Sequence, residues 1–127
     1  MEENLKQLLL KDLSARFPYG VVLDVDTTDW KAPQGHIQVK IEGYGIISKD
    51  MSLIVNGCYY GDNYKPYLRP MSSMTEEEKR EYKHLIAFSG NPIGSANLID
   101  WLNKKMFDYR GLIERGLAIE APKGMYK

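Results

Sequence analysis

Lys65-Pro66-Tyr67-Leu68-Arg69-Pro70-Met71-Ser72-Ser73-Met74-Thr75-Glu76-Glu77-Glu78-Lys79-Arg80-Glu81-Tyr82 separates two halves of different character: strand and turn patterns before it, helical patterns after it. Pro66 and Pro70 fix their own backbone angles and push Lys65 and Arg69 toward extended conformations. The segment between the prolines reads as a connector, with Tyr67 and Leu68 anchoring it on the body. Thr75 and Glu78 stand at capping-box spacing, and Glu76, Glu77 and Glu78 face the positive end of a helix dipole. A helix is therefore predicted from Glu76 to about Phe88, with Tyr82, Leu85 and Ile86 inward, ending at Ser89-Gly90-Asn91-Pro92.

Upstream, Leu5, Leu8, Leu9, Leu13 and Phe17 recur at helical spacing and predict an N-terminal helix that stops before Pro18. Val21, Leu23 and Val25 then alternate with Val22, Asp24 and Asp26, the period of a half-buried strand. Ile37, Val39 and Ile41 alternate in the same way with His36, Gln38, Lys40 and Glu42. One wet face implies antiparallel pairing. Ile46-Ile47 and a run from Leu53 toward Tyr60 suggest further short strands, with Gly57 an irregularity and Gly61-Asp62-Asn63 a turn. Downstream, Ser95 is the expected cap of a third helix carrying Leu98, Ile99, Trp101, Leu102 and Met106. Asp108 is the expected cap of a short fourth, stopped at Gly116, and Leu117-Ala118-Ile119 of a last strand. The predicted fold is a single α+β domain over residues 1–127. It has an N-terminal helix, an antiparallel meander sheet of three to four strands between residues 19 and 60, and two or three C-terminal helices packed on one face.

The chain's 127 residues suffice for one core, and 17 basic against 17 acidic residues give no net charge. That balance argues against a protein that binds nucleic acid chiefly through phosphates. Cys58 is the only cysteine, which excludes an internal disulfide and a cysteine-rich zinc site. Leu8-Leu9-Leu10 is too short for a signal core, and no run approaches the roughly 20 apolar residues that span a bilayer. A soluble cytoplasmic protein without a membrane partner is the simplest expectation.

No sequence motif announces chemistry. Asp24, Asp26 and Asp29 do not follow a calcium loop: the sixth position from Asp24 is Asp29 rather than Gly, and the twelfth is Gly35 rather than Glu. Neither His36 nor His84 has a second ligand-type residue four positions on, and no metal or cofactor is implied. Cys58 reads as a buried strand thiol. No Gly-x-Ser-x-Gly surrounds Ser72, Ser73 or Ser89, and Gly90-Asn91-Pro92-Ile93-Gly94-Ser95 lacks the lysine of a phosphate loop. Helices after Ser95 followed by Leu117-Ala118-Ile119 offer only a faint helix-turn-helix comparison, poor in basic residues.

Binding residues are sought where aromatics gather. Tyr59, Tyr60, Tyr64 and Tyr67, with Arg69 and Met71, form the candidate recognition surface, suited to a protein partner or to self-association. The leading expectation is a non-enzymatic interaction or accessory protein. Alternatives are a small hydrolase-like or metal-dependent enzyme using Asp24, Asp26, His36 and Glu42 on the polar strand face, or a weak nucleic-acid binder.

The run Lys65–Lys79 resembles a segment shared by small uncharacterised bacterial proteins of prophages and other mobile elements. Asp100-Trp101-Leu102-Asn103 and the stretch from Phe107 to Pro122 resemble the same group, so the likeness covers residues 65–126. It implies an intracellular bacterial or phage-borne setting and supplies no activity or catalytic residue.

Overall fold

The computed structural model describes residues 2–41, 45–48, 51–55 and 57–126. Helix α1 (Glu2–Arg16) turns Leu9 and Leu13 into the core, and a single 3-10 turn, Phe17–Tyr19, absorbs Pro18. The strands form two sheets. β1 (Val22–Asp26), β2 (His36–Lys40), β6 (Tyr64–Leu68) and β7 (Ile119–Glu120) make a four-stranded sheet in the order β2-β1-β6-β7. β3 (Ile46–Ile47), β4 (Leu53–Val55) and β5 (Cys58–Gly61) make an antiparallel sheet of three. Leu23, Val25, Val39 and Ile41 from the first sheet meet Leu53 and Val55 from the second and Leu13 and Phe17 from the helical start, giving one apolar core.

The α+β class holds, and β3, β4 and β5 form an antiparallel meander, but the strands as a whole do not make one meander sheet. β1 is flanked by β2 and by the distant β6, and β7 joins β6 in parallel. The run from Leu53 to Tyr60 is two strands with a turn at Gly57 rather than one irregular strand. The largest correction falls on Tyr64–Leu68, which is a central strand instead of a connector. Tyr64, Pro66 and Leu68 are buried while Lys65 is exposed and Tyr67 half-buried, a period-two pattern that the prolines obscure. Pro66 is tolerated because of register. The Asp26 amide donates to the Asn63 carbonyl (2.9 Å), which makes that pair hydrogen-bonded. Alternation then leaves the Leu23–Pro66 pair non-bonded, so the missing proline N–H faces away from β1. On the other side β7 begins only opposite Tyr67.

Helices α2 (Glu76–Ala87) and α3 (Pro92–Lys104) form a hairpin arm rather than a layer on the sheet. The capping box of Thr75 and Glu78 is present in both directions, at 3.1 and 3.0 Å. α2 packs on α3 through the stacked rings of Tyr82 and Trp101, and Glu78 is its one buried residue. Ile86, expected inward, is 45% exposed. Asn91, not Ser95, caps α3, its side chain accepting from the Gly94 amide at 2.8 Å. The expected fourth helix is a series of turns, because Gly111 takes a left-handed φ of 72°. Asp108 still caps there, its carboxylate accepting from Leu112 and Ile113.

The arm joins the body at its base. β6 runs on so that the Arg69 amide donates to the Met106 carbonyl and the Asp108 amide to the Arg69 carbonyl. Behind this junction lies Arg16 of α1, fully buried and paired in two bonds with the equally buried Asp12 (2.8 and 2.9 Å). A guanidinium N–H of Arg16 also donates to the Phe107 carbonyl at 2.8 Å, and Tyr109 packs its ring beside the charge.

The C-terminal segment completes the sheet. In the continued β1–β6 register Val22 lies opposite Tyr67, yet the Tyr126 hydroxyl sits between them, accepting from the Val22 amide (2.8 Å) and donating to the Tyr67 carbonyl (2.7 Å). Burial pushes this phenol up to about 12. Tyr126→Phe leaves both backbone groups unmet, and its expected effect is a loss of about 1–3 kcal/mol in urea unfolding. An unchanged midpoint would show that the strands close without the hydroxyl.

Candidate functional site

The residues expected to form a recognition surface are dispersed. Tyr64 is a core residue whose hydroxyl donates to the Met51 carbonyl (2.9 Å), and burial pushes its ionisation up to about 12. Arg69 makes two bonds to Glu78 at 2.9 and 2.7 Å and stacks its guanidinium over Phe107 at 4.2 Å. That guanidinium, helped by the Thr75 amide and against partial burial, holds the Glu78 carboxyl down to about 2. Met71 packs with Met74, Leu102 and Phe107, and Tyr67 is half-buried on the outer face of the first sheet. Each of these side chains has a place in the framework. Arg69 in addition fixes the start of α2, which makes it a joint between sheet and arm.

Tyr59 and Tyr60 stand apart from the other four. Tyr59 is 65% exposed, and its hydroxyl lies 3.1 Å from that of Ser52. With Trp30, Asp26, Asp29 and Asp62 the two tyrosines line a cavity of about 180 Å³. Its charged neighbours are carboxylates, whereas the sequence set Arg69 with these tyrosines. Cys58, at the start of β5, is exposed and not buried as expected.

A larger groove of about 930 Å³ runs between the C-terminal segment and the base of the arm. Arg69 and Tyr126 line it, as do Lys40, Lys104, Lys105 and Lys123 together with Glu77, Glu81 and Glu120. Charge of both signs along one open groove defines no single ligand class.

The polar strand face does gather three of its four candidates. His36 Nδ1 lies 2.8 Å from an Asp24 carboxylate oxygen, and Nε2 lies 4.0 Å from Asp26. Cross-strand register accounts for this, because His36 is the direct partner of Asp26. Glu42 lies outside the described residues. The hydrogen bond to Asp24, followed by its charge and that of Asp26, raises the His36 ionisation above its ordinary 6.5 against a small desolvation effect. Asp26 is lowered, first by the Thr28 amide. The imidazole is 60% exposed on an open face, and neither it nor Asp24 lines the groove or the smaller cavity. Among the described residues, no group of three or more His, Cys, Asp or Glu side chains is arranged to hold a metal ion. The geometry is that of a cross-strand ion pair: it offers an acid or base but no water-excluding pocket in which to use one.

The feature that sequence reasoning missed is the arm. Of the large hydrophobic side chains that are exposed among the described residues, Ile86 (45%), Phe88 (62%), Ile93 (76%) and Ile99 (41%) belong to it, and Tyr19 and Tyr59 do not. Its tip is tightly built. A Cβ on Gly94 would overlap the Phe88 carbonyl, so only glycine lets the two helices close here. The Ser89 hydroxyl donates to the Ile86 carbonyl and the Ser95 hydroxyl to the Ser89 carbonyl, both at 2.7 Å. His84 packs its ring against Phe88 at 4.8 Å. The one signal available in advance was the Ile93 position, apolar in a loop-to-helix junction where no core demands it. Gly90–Ser95, compared above with phosphate loops, is this tip, and its Gly94 amide is taken by the Asn91 side chain.

No protein-family model, curated protein or solved structure matches the chain. Among the described residues no helix is long and apolar enough to cross a membrane.

The His36 pair gives a direct check on the sheet face. An NMR titration is expected to place His36 above 6.5, and Asp24→Asn to bring it back toward that value. Because the folded value is raised, the pair stabilises the fold below about pH 6.5 and loses that contribution as pH rises through the folded value. A titration at or below 6.5 in the parent chain would remove the pair.

Proposed function

We propose that this protein is a non-enzymatic interaction protein, accessory to a phage or mobile element, whose contact surface is the α2–α3 arm. The observation that carries the reading is the exposure of Phe88 and Ile93 on a tip closed by the tight approach at Gly94, the Asn91 cap and two serine-to-backbone hydrogen bonds. Leaving such side chains in water forgoes about 1.5–3 kcal/mol for each one that a partner would bury. A preorganised tip loses little freedom on docking, so that gain is available to binding. Contiguous apolar patches on small proteins mark contact sites. The mobile-element setting is supported by the resemblance of residues 65–126 alone.

A photo-crosslinking amino acid at Phe88 or Ile93, expressed in cells, is expected to give an adduct of discrete mass, while the same probe at the exposed Lys31 gives none. No adduct from the arm, or the same adducts from all three positions, would contradict the reading.

A further inference from the structure

The cavity of about 180 Å³ between the β1–β2 loop and the turn from β5 into β6 has walls of two kinds. Trp30, Tyr59 and Tyr60 supply aromatic surface, Asp26, Asp29 and Asp62 supply negative charge, and none of the lining residues is basic. Neighbouring residues on a regular strand point to opposite faces, so Tyr59 and Tyr60 would not share one cavity there. A bulge brings them together: Leu53 pairs with Gly61 and Ile54 with Tyr59, which leaves Tyr60 as the extra residue. Gly61 then turns the chain against the indole at a left-handed φ of 78°, where an added Cβ would lie 3.9 Å from Trp30 Nε1. Trp30 and Tyr60 are half-buried and pack on the main core, whereas Tyr59 is 65% exposed, with its hydroxyl 3.1 Å from the Ser52 hydroxyl. Two rings are anchored from behind, and the third borders the solvent.

We infer that this cavity binds a quaternary ammonium group, the aromatic rings lying around its methyl shell and the carboxylates balancing its charge. Ring faces attract a cation through their quadrupole, and nearby carboxylates add Coulomb attraction. Asp26 already accepts from the Thr28 amide at 3.0 Å, so the exposed Asp29 and Asp62 are the carboxylates left to meet the charge. The same walls disfavour other ligands. An anion would meet three carboxylates and no cation. A bare metal ion needs oxygen ligands that converge within about 2.0–2.6 Å, and among the described residues no group of three or more His, Cys, Asp or Glu side chains is so placed. A drug-sized molecule takes a pocket of about 300–1,000 Å³. What fits is a small cation that carries its own apolar surface. This site lies on the body of the protein, and the inference stands independently of the arm's docking role.

The test is an NMR titration of the full chain with choline chloride, read at the two indole N–H signals, Trp30 in the cavity and Trp101 on the arm. A saturable shift at Trp30 alone is expected, with a dissociation constant below about 5 mM. The neutral compound 3,3-dimethyl-1-butanol has the shape of choline without its charge, and it is expected to bind about tenfold more weakly or worse. Tyr59→Leu keeps apolar bulk at an exposed position and removes the ring, which is expected to weaken choline about tenfold. Asp62→Asn is expected to weaken it about threefold, and both variants to keep the parent's melting temperature. A short peptide carrying trimethyllysine, run beside its unmethylated form, separates the two sources of such a group. Tighter binding than choline assigns the site to a methylated side chain, and weaker or equal binding assigns it to a free small molecule. No saturable shift at Trp30 up to about 20 mM choline would overturn the inference. So would equal binding of the neutral compound, or an affinity indifferent to both Tyr59→Leu and Asp62→Asn.

Discussion

The buried Asp12–Arg16 pair is the constraint on which the remainder of the structure depends. Both side chains are fully buried, and they are joined by two short hydrogen bonds four residues apart on α1. Pairing offsets the desolvation of two charges only when the geometry is good and further hydrogen bonds are supplied. Here one further bond goes to the Phe107 carbonyl and the Arg110 charge comes within 3.4 Å of Asp12, while Nη1 of Arg16 is buried without a hydrogen-bond partner among the described residues. A guanidinium can serve the carboxylate with one edge and the carbonyl with another, because its donors are fixed in a planar fork. The first helix is thereby tied to the segment that follows α3, 91 residues away in sequence. Tyr126 enters close to the same charge, which acts to lower its ionisation against the larger effect of burial.

What this anchoring provides is a fixed base for an arm that is otherwise poorly buried. α2 packs chiefly on α3, and α3 reaches the body through α1, Leu102 and the Met106–Asp108 junction. Arg69 reinforces the base from the other side, clamping Glu78 at the first turn of α2 while stacking on Phe107. The fully buried Arg16 and the partly buried Arg69 therefore bracket the Phe107 region. Their chemistry is spent on holding the arm at a set angle, and a fixed angle is what makes an exposed apolar face useful for recognition rather than for random sticking.

The sequence revealed those features that depend on local pattern. Alternation located β1 and β2, leucine spacing located α1, and the Thr75–Glu78 box located the start of α2, because each rests on residues within a few positions of one another. Features set by distant partners were not legible. Tyr64–Leu68 resembled a connector because two prolines outweighed its alternation, and only its register with β1 shows why Pro66 fits. Nothing around Asp12 and Arg16 announces that they are buried, since the carbonyl that Arg16 also serves is far off in the chain. Arg69 passed for a binding residue for a similar reason, its structural role depending on Glu78 and Phe107 together. Ile86 and Ile99 carry the hydropathy of core residues, and nothing in a one-dimensional pattern says that the arm has a second side with nothing against it.

Arg16→Lys tests the central claim most directly, because it keeps the charge beside Asp12 and removes the fork that also reaches Phe107. Backbone amide exchange should report it. The expected result is faster exchange in residues 103–110 and in α2–α3, at denaturant concentrations where β1, β2 and β6 remain protected, with about 1.5–3 kcal/mol lost overall. Unchanged exchange in the arm, or a rise spread evenly over arm and sheet, would contradict the claim that this one side chain sets the arm in place.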